Sequence, residues 1–398
     1  MSSKIIRRSF RRNLAFASCL AALTLSAAPG FAGPYVQTNL VSTIPGLATI
    51  TDPELVNPWG ISHSATSPFW ISDQGTNAAT LYAVTGSTTV TKTNINPPSG
   101  FVAIPTTAGG PQGPTGQVNN GNPSASSFPV GGGGNGLSAH FIFDSLNGTI
   151  SAWDTGTTAF IQRTVPGAVF TGLAINQAQT LLYAANGGAG AGINVFDSAF
   201  SPTSLGVGAF ATPAGIGALG LVPFNVQDIN GKVYVTYAPA GHVAQTIATA
   251  GMGAVAIFDE SGNLLQTLIN GELASPWGVA IAPSGFGPFA NDLLVGNFSY
   301  VDSEINAFDP ISGTFMGSIQ IDTGGVGPGG LWALGFGTGG SNGNPNTLYF
   351  TDGLDRETKG LFGAISVPVP EPVTLSLFGA GLAGMMLGRR RRNKVRAD

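Results

Sequence analysis

The chain of 398 residues contains a repeat with a period near 54 residues, which limits the possible folds more than any other feature. Six segments each join a turn glycine to the start of an apolar run, beginning with PWGIS and ending with PGGLWAL. Their glycines are Gly60, Gly116, Gly172, Gly220, Gly278 and Gly330. Two further apolar runs follow in each unit, and in most units there is a weaker fourth. Short runs rich in β-branched and aromatic residues, separated by glycine and proline, predict strands.

Units of three or four strands, repeated six times, predict an all-β fold, a six-bladed β-propeller that spans residues 33–367. Two β-sandwiches are the competing arrangement, but sandwiches do not repeat in sequence at a fixed period. The last unit lacks a fourth strand, whereas segment 35–42 precedes the first unit without a partner. We therefore expect 35–42 to complete the last blade and close the ring, which removes exposed strand edges. Segment 119–137 fits no strand and is long enough to be a functional loop or a mobile one, and its four consecutive glycines favour the mobile loop.

Residues 1–32 have the pattern of a secretory signal peptide, with a basic start, an apolar stretch over about 14–28 and small residues at the end. We expect cleavage after Ala32. The segment RRSFRR also resembles a twin-arginine signal, so the export route stays open. Cys19 is the only cysteine in the chain. The mature protein would therefore lack disulfides, cysteine nucleophiles and thiolate metal ligands.

The region between the two ends is acidic. Residues 33–388 contain five basic and 19 acidic residues, a formal charge of −14. Such a body repels nucleic acid and anionic lipid, so nucleic acid is not expected as a partner.

The C-terminal segment, 368–398, has three parts. They are the motif Pro370-Glu371-Pro372, the apolar run 373–388, and the basic cluster Arg389, Arg390, Arg391 and Arg392. The apolar run predicts a single transmembrane helix, although about 24 Å of helix is short for a hydrocarbon core of about 30 Å. A simple membrane anchor explains the apolar run and the arginines but gives no role to the proline-flanked glutamate.

This three-part order is similar to the PEP-CTERM sorting tail. The resemblance implies an exosortase-type enzyme that cuts near the Pro-Glu-Pro motif, with the secretion machinery and the inner membrane as further partners. It also implies transient anchoring through the C-terminal helix, followed by location at the cell surface or outside the cell.

The body carries a second resemblance. LVNPWGIS, DLLVGNF and GLWALGFG resemble a group of uncharacterised exported bacterial proteins that often carry this kind of tail. WISDQGTNAATLYAV is similar to the blade of NHL-type propellers. NHL-like propellers include streptogramin lyases, sugar lactonases and pure binding modules, so the resemblance implies a fold and leaves the activity open.

Oxygen-bearing side chains recur where the second run of each unit ends. If these positions converge around the axis of a propeller, they predict a ligand or cation site, with calcium or magnesium as the fitting ion. The alternative is that each residue makes a turn and bonds its own backbone. The candidate residues are Asp73, Asp144, Asn186, Asn297 and Asp352, with Tyr237 at the corresponding place in the fourth unit.

Other reactive groups are few. The chain has only three histidines, which disfavours a Ser-His-Asp triad. His242 lies in a loop longer than its counterparts and is a candidate for facing a pocket, with a solvated loop histidine as the alternative. Trp59, Trp277 and Trp332 recur at unit starts, which predicts packing between blades, with carbohydrate stacking as the alternative.

These observations favour an exported, transiently anchored module for binding or for a surface matrix, with extracellular polysaccharide as a candidate partner and no catalytic residue assigned. The alternative is a divalent-metal-dependent lyase or lactonase that acts on the open face of the propeller.

Overall fold

The structure is a computed structural model that describes residues 35–368 except 96–99, 108–111, 123 and 125. Six antiparallel sheets surround one axis, which confirms the predicted six-bladed β-propeller. The predicted signal peptide, 1–32, and the tail from residue 369 onward lie outside the described residues. No helix in the described part of the chain is long and apolar enough to cross a bilayer.

The strands follow one another along the chain from blade to blade. Two strands come first, β1 (Val36–Ser42) and β2 (Ile50–Thr51). Blade 1 contains β3 (Pro58–Ser62), β4 (Phe69–Asp73), β5 (Ala78–Thr85), β6 (Thr89–Lys92) and β7 (Phe101–Ala103). Blade 2 contains β8 (Pro114–Asn119), β9 (Phe141–Ser145), β10 (Thr149–Trp153) and β11 (Phe160–Thr164). Blade 3 contains β12 (Phe170–Ile175), β13 (Leu181–Asn186) and β14 (Gly192–Asp197).

The second half of the ring has the same strand order with short helices in its loops. Blade 4 contains α1 (Ala214–Gly217), β15 (Leu221–Ile229), β16 (Lys232–Pro239), α2 (His242–Thr246), β17 (Ala254–Asp259) and β18 (Leu264–Leu268). Blade 5 contains β19 (Pro276–Ile281), a 3-10 turn at Gly287–Phe289, β20 (Leu293–Asn297), β21 (Glu304–Phe308) and β22 (Phe315–Gln320). Blade 6 contains β23 (Leu331–Phe336), β24 (Leu348–Asp352), the helical turn α3 (Leu354–Glu357) and β25 (Leu361–Ser366).

The first strand of the chain completes the last blade. β1 pairs antiparallel with β25, so that Val36 lies opposite Ser366 and Ser42 lies opposite Leu361. Leu40 and Val41 of β1 are fully buried against residues of blades 1 and 6. Segment 36–42 thus supplies the fourth strand that the last unit lacks.

The register of the repeat differs from the predicted one in two blades. The inner strands approach the next blade most closely at Gly60, Gly116, Gly172 and Gly278, where a Cβ atom would lie 2.0–2.5 Å from the neighbouring blade. In blades 4 and 6, the pairing of the inner strand with the second strand places Asn225 and Ala333 at this point of close approach. Alignment of the blades on Gly220 and Gly330 is therefore wrong, because both glycines precede their strands. The corrected positions lie 53–56 residues apart, a more regular spacing.

Segment 119–137 is packed in part against the core, contrary to the mobile loop that its glycines favour. Phe128 and Val130 are fully buried between blades 2 and 3. The Phe128 carbonyl accepts a hydrogen bond from the Ala139 N–H at 2.9 Å. Two apolar side chains thus fix the later part of this segment, and the glycines lie between them and β9.

Candidate functional site

The axis of the propeller is lined by the inner strands β3, β8, β12, β15, β19 and β23, one from each blade. All six run in the same direction. We call the face at which they begin the front face and the face at which they end the back face.

Aromatic side chains fill the channel near the front face. This aromatic layer consists of Trp59, Phe224, Trp277, Phe298 and Trp332, all buried. The rings of Trp59 and Trp332 stack with their centroids 3.5 Å apart, and Phe298 stacks on Trp332 at 4.1 Å. The indole N–H of Trp277 donates to the backbone carbonyl of Thr171 at 2.7 Å. The predicted packing role of the recurring tryptophans is confirmed, and their layer separates the front face from the channel behind it.

A cavity of about 730 Å³ occupies the rest of the channel and opens at the back face. Apolar side chains such as Ile61, Leu173 and Leu334 form part of its wall. Its polar lining consists mainly of side-chain amides. They belong to Gln117, Asn119, Gln177, Gln179, Asn225, Gln227 and Asn230.

The amides of the cavity differ in their partners. Gln117 donates to the carbonyls of Gly60 and Trp70, at 2.7 and 2.8 Å, so it joins blades 1 and 2. In the described part of the chain, nothing hydrogen-bonds the side chains of Gln179, Gln227 and Asn230. An amide supplies both a donor and an acceptor, so these three side chains present both kinds of group to the cavity.

Two titratable groups line the cavity among the described residues, Asp228 and His63. Burial raises the pKa of Asp228 to about 6, against hydrogen bonds from Gln177 and Gly231 that favour the ionised carboxylate. Burial lowers the pKa of His63, whose ring contacts the carbonyl of Phe336 at 3.3 Å. The lining described here includes no lysine or arginine, so the cavity is close to neutral apart from Asp228.

The predicted channel residues lie at the ends of second strands, but they bond the backbone of their own blades. Oxygen atoms of Asn186, Asn297 and Asp352 accept the N–H of Val169, Ala274 and Gly330, at 3.0, 3.0 and 2.9 Å. Each of these N–H groups belongs to the segment that leads into the inner strand. This arrangement is the turn-making alternative of the sequence analysis.

Asp73 and Asp144 accept hydrogen bonds from other positions of their blades. A carboxylate oxygen of Asp73 accepts the N–H of Thr80, in the third strand β5, at 3.0 Å. Strand pairing places Ser145, and not Asp144, at the position equivalent to Asp73. Asp144 lies one residue earlier and accepts the hydroxyl of Thr115 at 2.8 Å and the N–H of Gly116 at 2.7 Å.

Burial raises the pKa of all three aspartates, to about 7 for Asp144 and Asp352 and well above the ordinary value for Asp73. Within the described ranges, no three His, Cys, Asp or Glu side chains form a group that could hold a metal ion. The candidate ligands are thus not brought together, and the calcium or magnesium site stays a hypothesis without a cluster to carry it.

His242 lies on the front face, where its Nε2 atom is 2.8 Å from a carboxylate oxygen of Glu357. The histidine side chain is 53% exposed and the glutamate side chain 12%. The hydrogen bond from the imidazole to Glu357 raises the pKa of His242, partly opposed by burial. This pair joins α2 of blade 4 to α3 of blade 6.

Other groups converge on Glu357. The Asn57 amide is 3.4 Å from its second oxygen. Burial raises the pKa of Tyr300, and the negative charge of Glu357 raises it further. The indole N–H of Trp332 donates a hydrogen bond to the Asn57 side chain at 2.9 Å. The aromatic layer thereby holds the Asn57 amide beside Glu357. Asp355, Arg356 and Glu357 have φ of 48°, 54° and 66°, an uncommon conformation for residues other than glycine.

Sequence reasoning missed both the amide lining and the role of Glu357. Four of the amides lie in the inner strands β8 and β15, where only apolar residues and glycine were considered, and the other three lie in the loops that follow β12 and β15. Glutamine at Gln117 and Gln227, inside otherwise apolar strands, was the available signal. Glu357 has no counterpart in the other units, so the repeat gave no indication of it.

Comparison with known proteins bears on the tail and on the body separately. A family model for the PEP-CTERM protein-sorting motif matches residues 368–392. The predicted sorting tail is thereby confirmed. The motif indicates an exported protein that is sorted by an exosortase-type enzyme.

Two relatives of the body come from Acanthamoeba polyphaga mimivirus. Uncharacterized protein R648 is 28% identical over 344 residues, which cover 82% of this chain and 78% of the relative. Uncharacterized protein L690 is 28% identical over 297 residues, which cover 72% of this chain and 74% of the relative.

Two solved structures are similar in backbone. The structure of a streptogramin B lyase aligns with a TM-score of 0.48 and 12% identity, over 84% of this chain and 97% of that one. A protein of unknown function from Bacteroides caccae aligns with a TM-score of 0.35 and 10% identity, over 53% of this chain and 64% of that one.

Proposed function

We propose that the exported propeller is a binding module of the cell surface or matrix and that its channel cavity holds a neutral, hydroxyl-rich ligand such as a segment of extracellular polysaccharide. The observation that carries this proposal is the amide lining of a cavity of about 730 Å³. A cavity of this volume is within the range that encloses a small ligand.

The chemistry of the lining selects among ligand classes. Sugar hydroxyls both donate and accept hydrogen bonds, as do the amides of Gln179, Gln227 and Asn230. An anionic ligand would meet the Asp228 carboxylate and no lysine or arginine among the described lining residues. A fully apolar ligand would leave the amides unpaired, which costs about 1–3 kcal/mol for each buried polar group.

The proposal is tested by titration calorimetry of the exported, processed protein with neutral oligosaccharides and with oligosaccharides of uronic acids. We expect saturable binding of a neutral oligosaccharide and weaker binding of the acidic ones. Gln227→Ala should weaken binding by about tenfold, since a lost hydrogen bond contributes about 1.4 kcal/mol. Gln266→Ala, on an outer strand, is the matched control. Absence of binding to every neutral oligosaccharide, or equal weakening by both variants, contradicts the proposal.

A metal-dependent lyase or lactonase has less support. His242 and Glu357 form a hydrogen-bonded acid-base pair on the front face, but the described residues around them supply no group of three metal ligands. We therefore derive no reaction step through a metal, and the binding role remains the preferred one.

A further inference from the structure

The described chain ends on the face where the channel opens. β23 runs from the front face to the back face, and its last residue, Phe336, lines the cavity. β24 is antiparallel to β23, and β25 is antiparallel to β24. β25 therefore also runs towards the back face, and Val367, which follows it, lies beside Gly287 in a back-face loop.

Strand pairing measures how close this end lies to the mouth of the cavity. Phe336 is opposite Leu348, and Leu348 is opposite Ile365. Neighbouring strands are about 4.8 Å apart, so Ile365 is about 10 Å from Phe336 along this row. The chain thus leaves the propeller about two strand widths from the channel opening.

The link from this point to the apolar run is short. Five residue steps separate Pro368 from Val373, where the run 373–388 begins. Even a fully extended chain covers only about 18 Å over that distance. A tail inserted in a bilayer therefore keeps the back face close to the membrane surface.

We propose that the sorting tail holds the open mouth of the channel against the membrane, and that removal of the tail gives polymeric ligands access to the cavity. The second half of this inference depends on the binding function proposed above, whereas the orientation does not. Sorting would then release the protein and also activate its binding site, so the precursor does not capture matrix polymer before it leaves the membrane.

The orientation is tested with single thiols in the full chain, because Cys19 is the only natural cysteine and can be replaced by serine. Ala65→Cys places a thiol on the back face, beside Thr338 at the mouth. Val301→Cys is the matched control on the front face, where the side chain is 64% exposed. Labelling by a polymer-linked maleimide is compared between a host without the sorting enzyme and one with it.

We expect the Ala65→Cys thiol to react about tenfold more slowly in the anchored precursor than in the processed protein. The reason is that a polymer coil does not fit between the membrane and a back face held to it by a link of five residues. The Val301→Cys thiol should react at similar rates in both. Equal rates at both positions, slowing of both thiols alike, or slowing at Val301→Cys alone overturns the proposed orientation.

A binding measurement separates this proposal from the function on which it depends. Anchored and processed proteins are mixed with a fluorescent neutral polysaccharide and with a short neutral oligosaccharide. We expect the processed form to bind both and the anchored form to bind only the oligosaccharide. Equal binding of the polysaccharide by both forms overturns the access proposal. If neither form binds either sugar, the proposed function fails, while the thiol result still decides the orientation.

Discussion

Asp352 shows how burial changes the acidity of a carboxyl group. It is fully buried at the end of β24, and one oxygen accepts the N–H of Gly330 at 2.9 Å. In blades 3 and 5 the equivalent residues are Asn186 and Asn297, which make the same kind of bond. An amide suits a buried site at any pH. An aspartate suits it only when protonated, and burial raises the pKa of Asp352 to about 7 accordingly.

Replacement of Asp352 by asparagine should change how stability depends on pH. The unfolded carboxyl has a pKa of about 3.9, so between pH 4 and 7 the unfolded chain has lost a proton that the folded protein keeps. Stability then falls as pH rises through this window, by up to about 1.4 kcal/mol per pH unit for this one group. Asp352→Asn should remove that contribution and be more stable than the unaltered protein at pH 7.

The measurement is urea unfolding at pH 4, 5, 6 and 7. Asp259→Asn is the control, because hydrogen bonds, chiefly from Asn263, lower the pKa of Asp259, so this substitution should not change the slope in the window. If the unfolding free energy of Asp352→Asn depends on pH as that of the unaltered protein does, or if the variant is less stable at pH 7, the buried carboxyl is ionised and paired.

At the scale of strands and loops, the sequence predicts what repeats and misses what does not. The apolar runs predicted the blade strands because each run alternates with turn residues, and β1 was predicted from the missing fourth strand. Register was harder, since a glycine before a strand and a glycine inside it look alike, as Gly330 and Gly278 do. Asp144 was displaced by one residue for a similar reason. A tertiary contact such as Glu357 with His242 has no local signal at all.

The pair formed by His242 and Glu357 connects α2 to α3, and its contribution should depend on pH. The pKa of His242 is raised in the folded protein, so its stabilisation is fully present below about pH 6.5 and is lost as pH rises through the folded pKa. Because the histidine is half exposed, solvent screens the pair, and we expect less than about 1 kcal/mol.

Chemical unfolding of His242→Ala at pH 5.5 and pH 9 measures the contribution of this pair to stability. The variant should be less stable than the unaltered protein at pH 5.5 and nearly equal to it at pH 9. Val243→Ala, which truncates an exposed apolar side chain of the same helix α2, is the control and should show no such difference between the two pH values. A loss that is the same at both pH values would assign His242 a packing role alone.

For the whole molecule, the central question is whether ring closure makes six blades unfold as one. Leu40 is fully buried in a cluster that contains residues of both blade 1 and blade 6, whereas Val36 on the same strand is 46% exposed. Leu40→Ala should therefore lower the free energy of unfolding by about 2–5 kcal/mol. Val36→Ala is the control and should change it by no more than about 0.5 kcal/mol.

Hydrogen exchange in Leu40→Ala distinguishes a local effect from loosening of the ring. If the blades depend on closure, amides of β12 and β13 in blade 3 should lose as much protection as amides of β4 and β24, whose side chains pack in the same cluster as Leu40. This result is expected because each inner strand packs against the next, so the blade at the far side of the ring also depends on the closing contact. If protection falls in blades 1 and 6 while blade 3 is unchanged, the blades are independent units and closure only protects a strand edge.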